Sequence, residues 1–253
     1  MTRQTTAKIL AALAGVGFAI ASPRTAIAQP RLTFEAAAIK VNTAGASPGT
    51  GFNFDGSRLR ITNATLQFLI RSAYKVQGEQ IVGGPSWLDE ERYDIEANTG
   101  NSQPLAPAQF ATTLQNLLHD RFGLNFRRET RQLTVYSLVV EKGGSRLKEN
   151  TGAGGTRLNT DMNAGKAVLT GEGVSMDQLA GYISNKLGRV VLNRTDLTGV
   201  YDFSFTWDTE QSAGSTDPSM FTGLREQLGL RLESTRSPTE VLVIEQVAKP
   251  SEN

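Results

Sequence analysis

The sequence contains no cysteine and a single histidine, His119. The first absence excludes disulfides, thiol catalysis, iron–sulfur clusters and cysteine zinc sites. Stability must then come from a buried core, which a chain of this length can supply as one domain or two. With one histidine, a metal site could draw only on carboxylate oxygens, which suit Ca²⁺ or Mg²⁺. An excess of charge of one sign is lacking as well: 26 Lys and Arg face 25 Asp and Glu. Without a basic block there is no electrostatic support for nucleic-acid binding or for adsorption to a membrane surface. Long apolar runs are missing too. The longest, Ile9 to Ala21, has 13 residues and falls short of the roughly 20 needed to span a bilayer.

That run sits where a secretory signal would place it. Arg3 and Lys8 precede it, and Ala26-Ile27-Ala28 follows as a small-x-small cleavage pattern, so positions 1–28 read as a cleavable signal peptide. The mature chain would run from Gln29 to Asn253 and, with Arg3, Lys8 and Arg24 gone, would carry a net charge of −2. The expectation is an exported protein, periplasmic or extracellular, with no membrane insertion after cleavage.

From Gly51 the pattern of elements runs through once and then starts again. GFNF (51–54) and RLRIT (58–62) form a hairpin around Asp55-Gly56. Leu66, Leu69, Ile70, Ala73 and Tyr74 recur at helical spacing, and the strands QIVG (80–83) and YDIEA (93–97) follow. A second helix opens near Pro107 and stops at Gly123, before LNF (124–126) and LTVYSLVV (133–140). The second pass begins with TRLNTD (156–161) and AVLT (167–170) around Asn163-Ala164-Gly165. Ser175 and Gln178 make a capping box for a helix ending at Gly188. RVVL (189–192) and YDFSFTW (201–207) are strands. Asp217 and Pro218 predict the start of a last helix, with Phe221, Leu224 and Leu228 inward and Gly229 as its stop. LRLE (230–233) and EVLVIEQV (240–247) close the chain.

Laid over each other, the passes match Leu66 with Met176, Tyr93-Asp94 with Tyr201-Asp202, Gly123 with Gly229 and Val135 with Val241. The reading is an α+β fold of two similar β-β-α-β-β-α-β-β units, with helices packed on largely antiparallel sheets. The first unit, with an N-terminal extension, would cover 29–150 and the second 151–253, with the polar, Gly-rich KENTGAGG (148–155) at the boundary. QSAGSTD (211–217) reads as a mobile loop. Asp is disfavoured inside strands, so its recurrence after Tyr predicts a local role. It would accept N–H bonds from the preceding turn while the tyrosine ring covers the strand's start.

FEAAAIK (34–40), RYDIEA (92–97), LLHDRFGLNFRRETRQLTVYSLVVEKGG (117–144), LTGVYDFSFTW (197–207) and LREQLGLRLESTRSPTEVLVIEQVAKPSEN (224–253) together resemble a large paralogous family of exported proteins from soil bacteria, most abundant in acidobacterial genomes. The resemblance implies a secreted α+β protein. It brings no catalytic residues, because the family has no established activity. Some relatives are fused to sensor-type membrane metallopeptidases, which implies an extracellular sensing or binding role.

Catalytic patterns in the chain fail on physical grounds. GASPG (45–49) has the spacing of a hydrolase elbow, but Pro48 lacks the N–H that an oxyanion hole needs. Ser72 to Lys75 and Ser145 to Lys148 have Ser-x-x-Lys spacing. Ser72 falls late in its helix and Ser145 in a Gly-Gly loop, neither at a helix N-terminus. His119 lies at the edge of an amphipathic face with no nucleophile or orienting partner nominated. Asp89, Glu90 and Glu91 lack ligand spacing, and GAGGTR (152–157) lacks the lysine of a phosphate loop.

Two aromatic positions stand out. Trp207 shares a strand face with Tyr201, Phe203 and Phe205 and reads as core. Trp87, in the turn GGPSWLD, is the candidate ligand-binding residue, for a sugar or a peptide. The functional expectation is a non-catalytic binding or interaction protein without cofactor or metal, receiving a peptide, glycan or partner protein at a sheet edge or inter-unit groove. The alternative is a secreted carboxylate-dependent hydrolase acting on cell-wall or environmental polymers.

Overall fold

Alternation in RLRIT and YDIEA turns Leu59, Ile61, Tyr93 and Ile95 to one side, and all four are essentially inaccessible to solvent. In YDFSFTW the same period buries Phe203, Phe205 and Trp207. Helical spacing then supplies the lids, Leu66, Leu69 and Ile70 over the first strands and Leu179 and Ile183 over the second. A computed structural model describes residues 33–43, 49–55, 57–100, 105–152, 154–163, 165–209 and 218–250. These lie in one compact unit, Leu32–Asn253. The segment read as a signal peptide, most of GASPG, QSAGSTD and the hairpin residues Gly56 and Ala164 fall outside the described residues.

In chain order the elements are β1 (Ala36–Val41), β2 (Gly51–Asp55), β3 (Arg58–Thr65), α1 (Leu66–Tyr74), a 3-10 turn (Gly78–Gln80), β4 (Ile81–Val82), α2 (Trp87–Glu90), β5 (Arg92–Asn98), α3 (Pro107–Phe122) and β6 (Asn125–Val140). There follow β7 (Lys148–Glu149), β8 (Arg157–Asn163), β9 (Lys166–Ser175), α4 (Met176–Leu187), β10 (Val191–Asn193), β11 (Val200–Asp208), α5 (Met220–Leu228) and β12 (Leu230–Gln246). This mixture of helices with mostly antiparallel sheets is an α+β fold.

Three four-stranded sheets result, with strand orders β1-β5-β3-β2, β10-β6-β12-β4 and β7-β11-β9-β8. The outer two are wholly antiparallel. The middle one is built on β6 and β12, paired antiparallel along their length. Its short outer strands join in parallel, β4 onto β12 and β10 onto β6. Each half of the chain thus lends the other a strand. The cores follow suit: Leu242 of β12 packs with the β3–β5–α1–α3 cluster, and Leu138 of β6 with the β9–β11–α4–α5 cluster.

The helix boundaries have local causes. Thr65 caps α1 by accepting from the Phe68 N–H at 3.2 Å. The capping box at Ser175 forms as expected, with Gln178 Oε1 accepting from the Ser175 N–H at 2.9 Å. Gly123, Gly188 and Gly229 end α3, α4 and α5 in left-handed geometry, with φ of 57°, 63° and 65°. The last is also a close approach: a Cβ on Gly229 would stand 2.2 Å from the Gly144 carbonyl oxygen.

Three expectations about element bounds and helix facing are corrected. The last helix starts at Met220, with Ser219 accepting from the Thr222 N–H at 3.2 Å, so Pro218 precedes the cap. With that start, α5 buries Met220, Gly223, Leu224 and Leu228 and leaves Phe221 38% exposed. LNF and LTVYSLVV are one strand, β6, and LRLE and EVLVIEQV another, β12. The charged stretch between the apolar runs looks like a loop in isolation. Backbone pairing carries through it, and side chains join the strands, Arg128 to Glu240 and Arg127 to Glu245.

The aspartates of the two Tyr-Asp pairs have matching roles. Asp94 accepts from the Asn63 backbone N–H at 2.9 Å and from Asn42 Nδ2 at 3.0 Å. Asp202 accepts from the Gly173 N–H at 2.9 Å and from Asn150 Nδ2 at 2.7 Å. Asn63 and Gly173 both have positive φ, 54° and 59°. The donor comes from the neighbouring strand just before its helix, not from the preceding turn as expected. Asn150, in the stretch read as the boundary between the units, follows β7, which pairs with β11.

Candidate functional site

Between α1 and α4, where the rims of the two cores come to the surface beside β10, lies a groove of about 840 Å³. Its floor is apolar, from Val76, Ala180, Val190 and Val191, all buried. Its walls are polar. Arg71 Nη2 donates to Gln77 Oε1 at 2.9 Å, and Gln77 Nε2 donates to Asn185 Oδ1 at 2.9 Å, a bond that joins the two halves of the chain. Gln77 is itself buried and its backbone N–H donates to Gln80 Oε1, so this bridge is fixed by its own turn.

A second strut runs alongside. Glu79 accepts from the Val190 N–H at 2.8 Å and pairs with Arg189 Nε at 2.8 Å. Further along, Asn193 Nδ2 donates to Asp177 Oδ1 at 2.9 Å. The groove is thus held open by hydrogen bonds between elements that are distant in sequence. Asn185 has its oxygen engaged, and its Nδ2 has no protein partner among the described residues. Gly181 lies on the groove with nothing within 4 Å of where a Cβ would be. Charge along the walls is modest, Arg71 and Lys75 against Asp177. The arrangement is an apolar trough edged by amides and hydroxyls, suited to holding an extended, largely neutral ligand.

Trp87, the aromatic that stands out in the sequence, does not line this groove. It opens α2, partly buried against the first core, with Lys249 Nζ 5.8 Å from its ring centroid. Lys249 also pairs with Glu91, which in turn accepts from the Tyr93 hydroxyl at 2.9 Å. The Lys249 bond holds the Glu91 carboxyl below its usual range, while burial, reinforced by Glu91, pushes the Tyr93 phenol up. Glu91 is thereby tied into packing, apart from Asp89 and Glu90.

His119 is exposed, with Nδ1 2.9 Å from Asp120 Oδ1. Ser72 donates to the Phe68 carbonyl within α1, and Ser145 accepts from the Leu147 N–H. Trp207 lies in the second core, stacked on Phe205 with centroids 5.1 Å apart. Among the described residues no three His, Cys, Asp or Glu side chains group as metal ligands, and no helix is long and apolar enough to cross a membrane.

A second hollow, about 670 Å³, lies on the open side of the first outer sheet. Arg60 and Glu96 on it are paired with each other at 2.9 Å, which leaves them less to offer a ligand than the free amide of Asn185 has. The groove leaves no signature in the sequence. Its walls come from stretches far apart along the chain, and Gln77 and Asn185 belong to no motif.

Residues 67–247 match the model of a family described as protein of unknown function, DUF3738. No curated protein and no solved structure matches the chain.

Proposed function

The chain belongs to the DUF3738 family, and we propose that it is an exported, non-catalytic binding protein whose groove between α1 and α4 receives a peptide or glycan segment. The observation that carries this reading is the groove itself: an apolar floor, amide-lined walls and a hydrogen-bonded bridge that fixes its width. Export rests on the basic start, short apolar run and Ala26-Ile27-Ala28 of the N-terminal segment. A sensing role follows if occupancy of the groove is what the cell reads.

We also infer that the halves, divided near residue 150, are copies of one unit. Supporting this are the matching strand orders of the outer sheets, the reciprocal strands of the middle sheet and the matching Asp–Asn pairs at Asp94 and Asp202. A groove between two copies would then be a product of their joining.

The binding reading is tested by probing peptide and glycan arrays with the mature chain and with Gly181→Trp. The substitution puts a large ring into open space on an exposed helix face and removes a helix-destabilising glycine. Ligands retained by the wild type and lost by the variant support the groove. Equal binding by both would contradict it.

A further inference from the structure

We propose that this chain pairs with a second copy of itself through β8, the exposed edge of the third sheet, to form a twofold dimer with a continuous sheet. The direction of the backbone groups comes first. Thr206 of β11 turns both its N–H and its C=O away from β9, to the Gln227 side-chain amide at 3.0 and 2.9 Å. Alternation from that point makes Phe205 pair with Leu169, and so leaves Val168 and Thr170 facing β8. Their partners Asp161 and Asn159 face back. Leu158, Thr160 and Met162 therefore present N–H and C=O groups outward, and no backbone–backbone bond among the described residues takes them.

The other edges are managed differently. β4 and β7 have two residues each and β10 three, too short to template a partner. The outer side of β11 is closed by Gln227 and by the Pro218 carbonyl, which accepts from the Asp208 N–H. Edges β1 and β2 remain. On β1, the Ala37 carbonyl already accepts from Arg121 at 2.6 Å. β2 has five residues and its Phe52 and Phe54 are engaged with Phe110. β8 has seven residues and carries Met162, 65% exposed, the most exposed large apolar side chain among the described residues.

The sequence of β8, RLNTDMN, is complementary to itself. An antiparallel pair centred on Thr160 sets Thr160 against Thr160, Leu158 against Met162, and Asn159 against Asp161. The outward-facing residues meet as hydrogen-bonded pairs, and each such pair exchanges two backbone bonds. On the helix side, Met162 is covered by the second copy's Leu158, next to the Thr160–Tyr182 hydrogen bond that fixes this face to α4. On the other side, Asp161 meets an amide twice and no like charges oppose each other, which is the charge complementarity a second copy requires. A pairing of this size is a concentration-dependent equilibrium and not an obligate dimer.

The test is sedimentation velocity of the mature full-length chain across about a hundredfold range of concentration, with wild type, Asn159→Asp and Asn159→Lys. Asn159 is exposed, and each substitution recurs twice in the dimer, opposite Asp161. Wild type should shift from monomer to dimer. Asn159→Asp should weaken dimerisation about tenfold and Asn159→Lys should strengthen it, while the thermal midpoint of the dilute proteins changes only by the small amount expected for the exposed bond that Asn159 donates to Asp161 of its own strand at 3.3 Å. Amide exchange at Leu158, Thr160 and Met162 should slow as concentration rises. A monomer throughout, a dimer indifferent to both substitutions, or protection at β1 or β2 in place of β8 would each overturn the proposal.

Discussion

Asp94→Ala should destabilise the protein by about 2 kcal/mol, because it strips the acceptor from a buried backbone donor, and an unsatisfied donor of that kind costs roughly 1–3 kcal/mol. The Asn63 N–H reaches Asp94 Oδ1 at 2.9 Å where β3 departs from regular pairing with β5, between Ile61 and Ala64. Asn63 is only 4% exposed, so water does not readily replace the lost acceptor. The positive φ of Asn63 also loses the bond that offsets its strain. Asp94→Asn, which keeps one oxygen in place, should cost about half as much. For a domain this large, a loss of about 2 kcal/mol lowers Tm by about 4–8 °C. The assay is urea and thermal unfolding by circular dichroism, with Glu96→Ala as the control. Glu96, further along the same strand, pairs with Arg60 at the surface, where removal should change stability by no more than about 0.5 kcal/mol. If Asp94→Ala and Glu96→Ala prove equal, the bracket around Asn63 does not hold the strand-to-helix passage and the reasoning fails.

The other expectations follow from single residues. Asp202 is held below its usual range by the Asn150 side chain first, then by the Gly173 N–H. Its contribution should therefore be fully present above the ordinary aspartate pKa and fade as pH falls through the lower folded value. Urea midpoints of wild type and Asp202→Asn should converge at the acid end; a constant gap would refute the assignment. Gly229→Ala should cost about 3 kcal/mol, from its positive φ and the clash with the Gly144 carbonyl, against about 1 kcal/mol for Gly123→Ala, where space is open. Equal costs in urea unfolding would show that the loop after β6 yields. His119→Ala should leave unfolding within about 0.5 kcal/mol of wild type and leave array binding intact. Loss of binding at unchanged stability would show that the histidine contacts the ligand.

What was legible in the sequence was what near neighbours along the chain decide. The apolar spacing of Leu66, Leu69 and Ile70, the Ser175–Gln178 box and the glycines after α3, α4 and α5 act within a turn or two, and they placed helices correctly. The start of α5 was missed because Asp217-Pro218 and Ser219 are competing caps, and burial of Met220 decides between them. The continuity of β6 through Arg127, Arg128, Glu129 and Arg131 depends on β12, far along the chain, so its local composition reads as loop. The exchange of β4 and β10 between halves leaves no local trace either, since each is a short apolar run that would suit either partner. The groove inherits that blindness. Gln77 and Asn185 become neighbours only after the halves have joined, and no local pattern marks either of them.

The most direct test of the binding role is amide chemical-shift mapping of the mature chain, titrated with an array-selected peptide or oligosaccharide. The account predicts saturable shifts concentrated in residues 71–80 and 177–193, absent in Gly181→Trp. Saturable shifts confined to the surface around Trp87, or to the open side of the β1–β5–β3–β2 sheet, would contradict it.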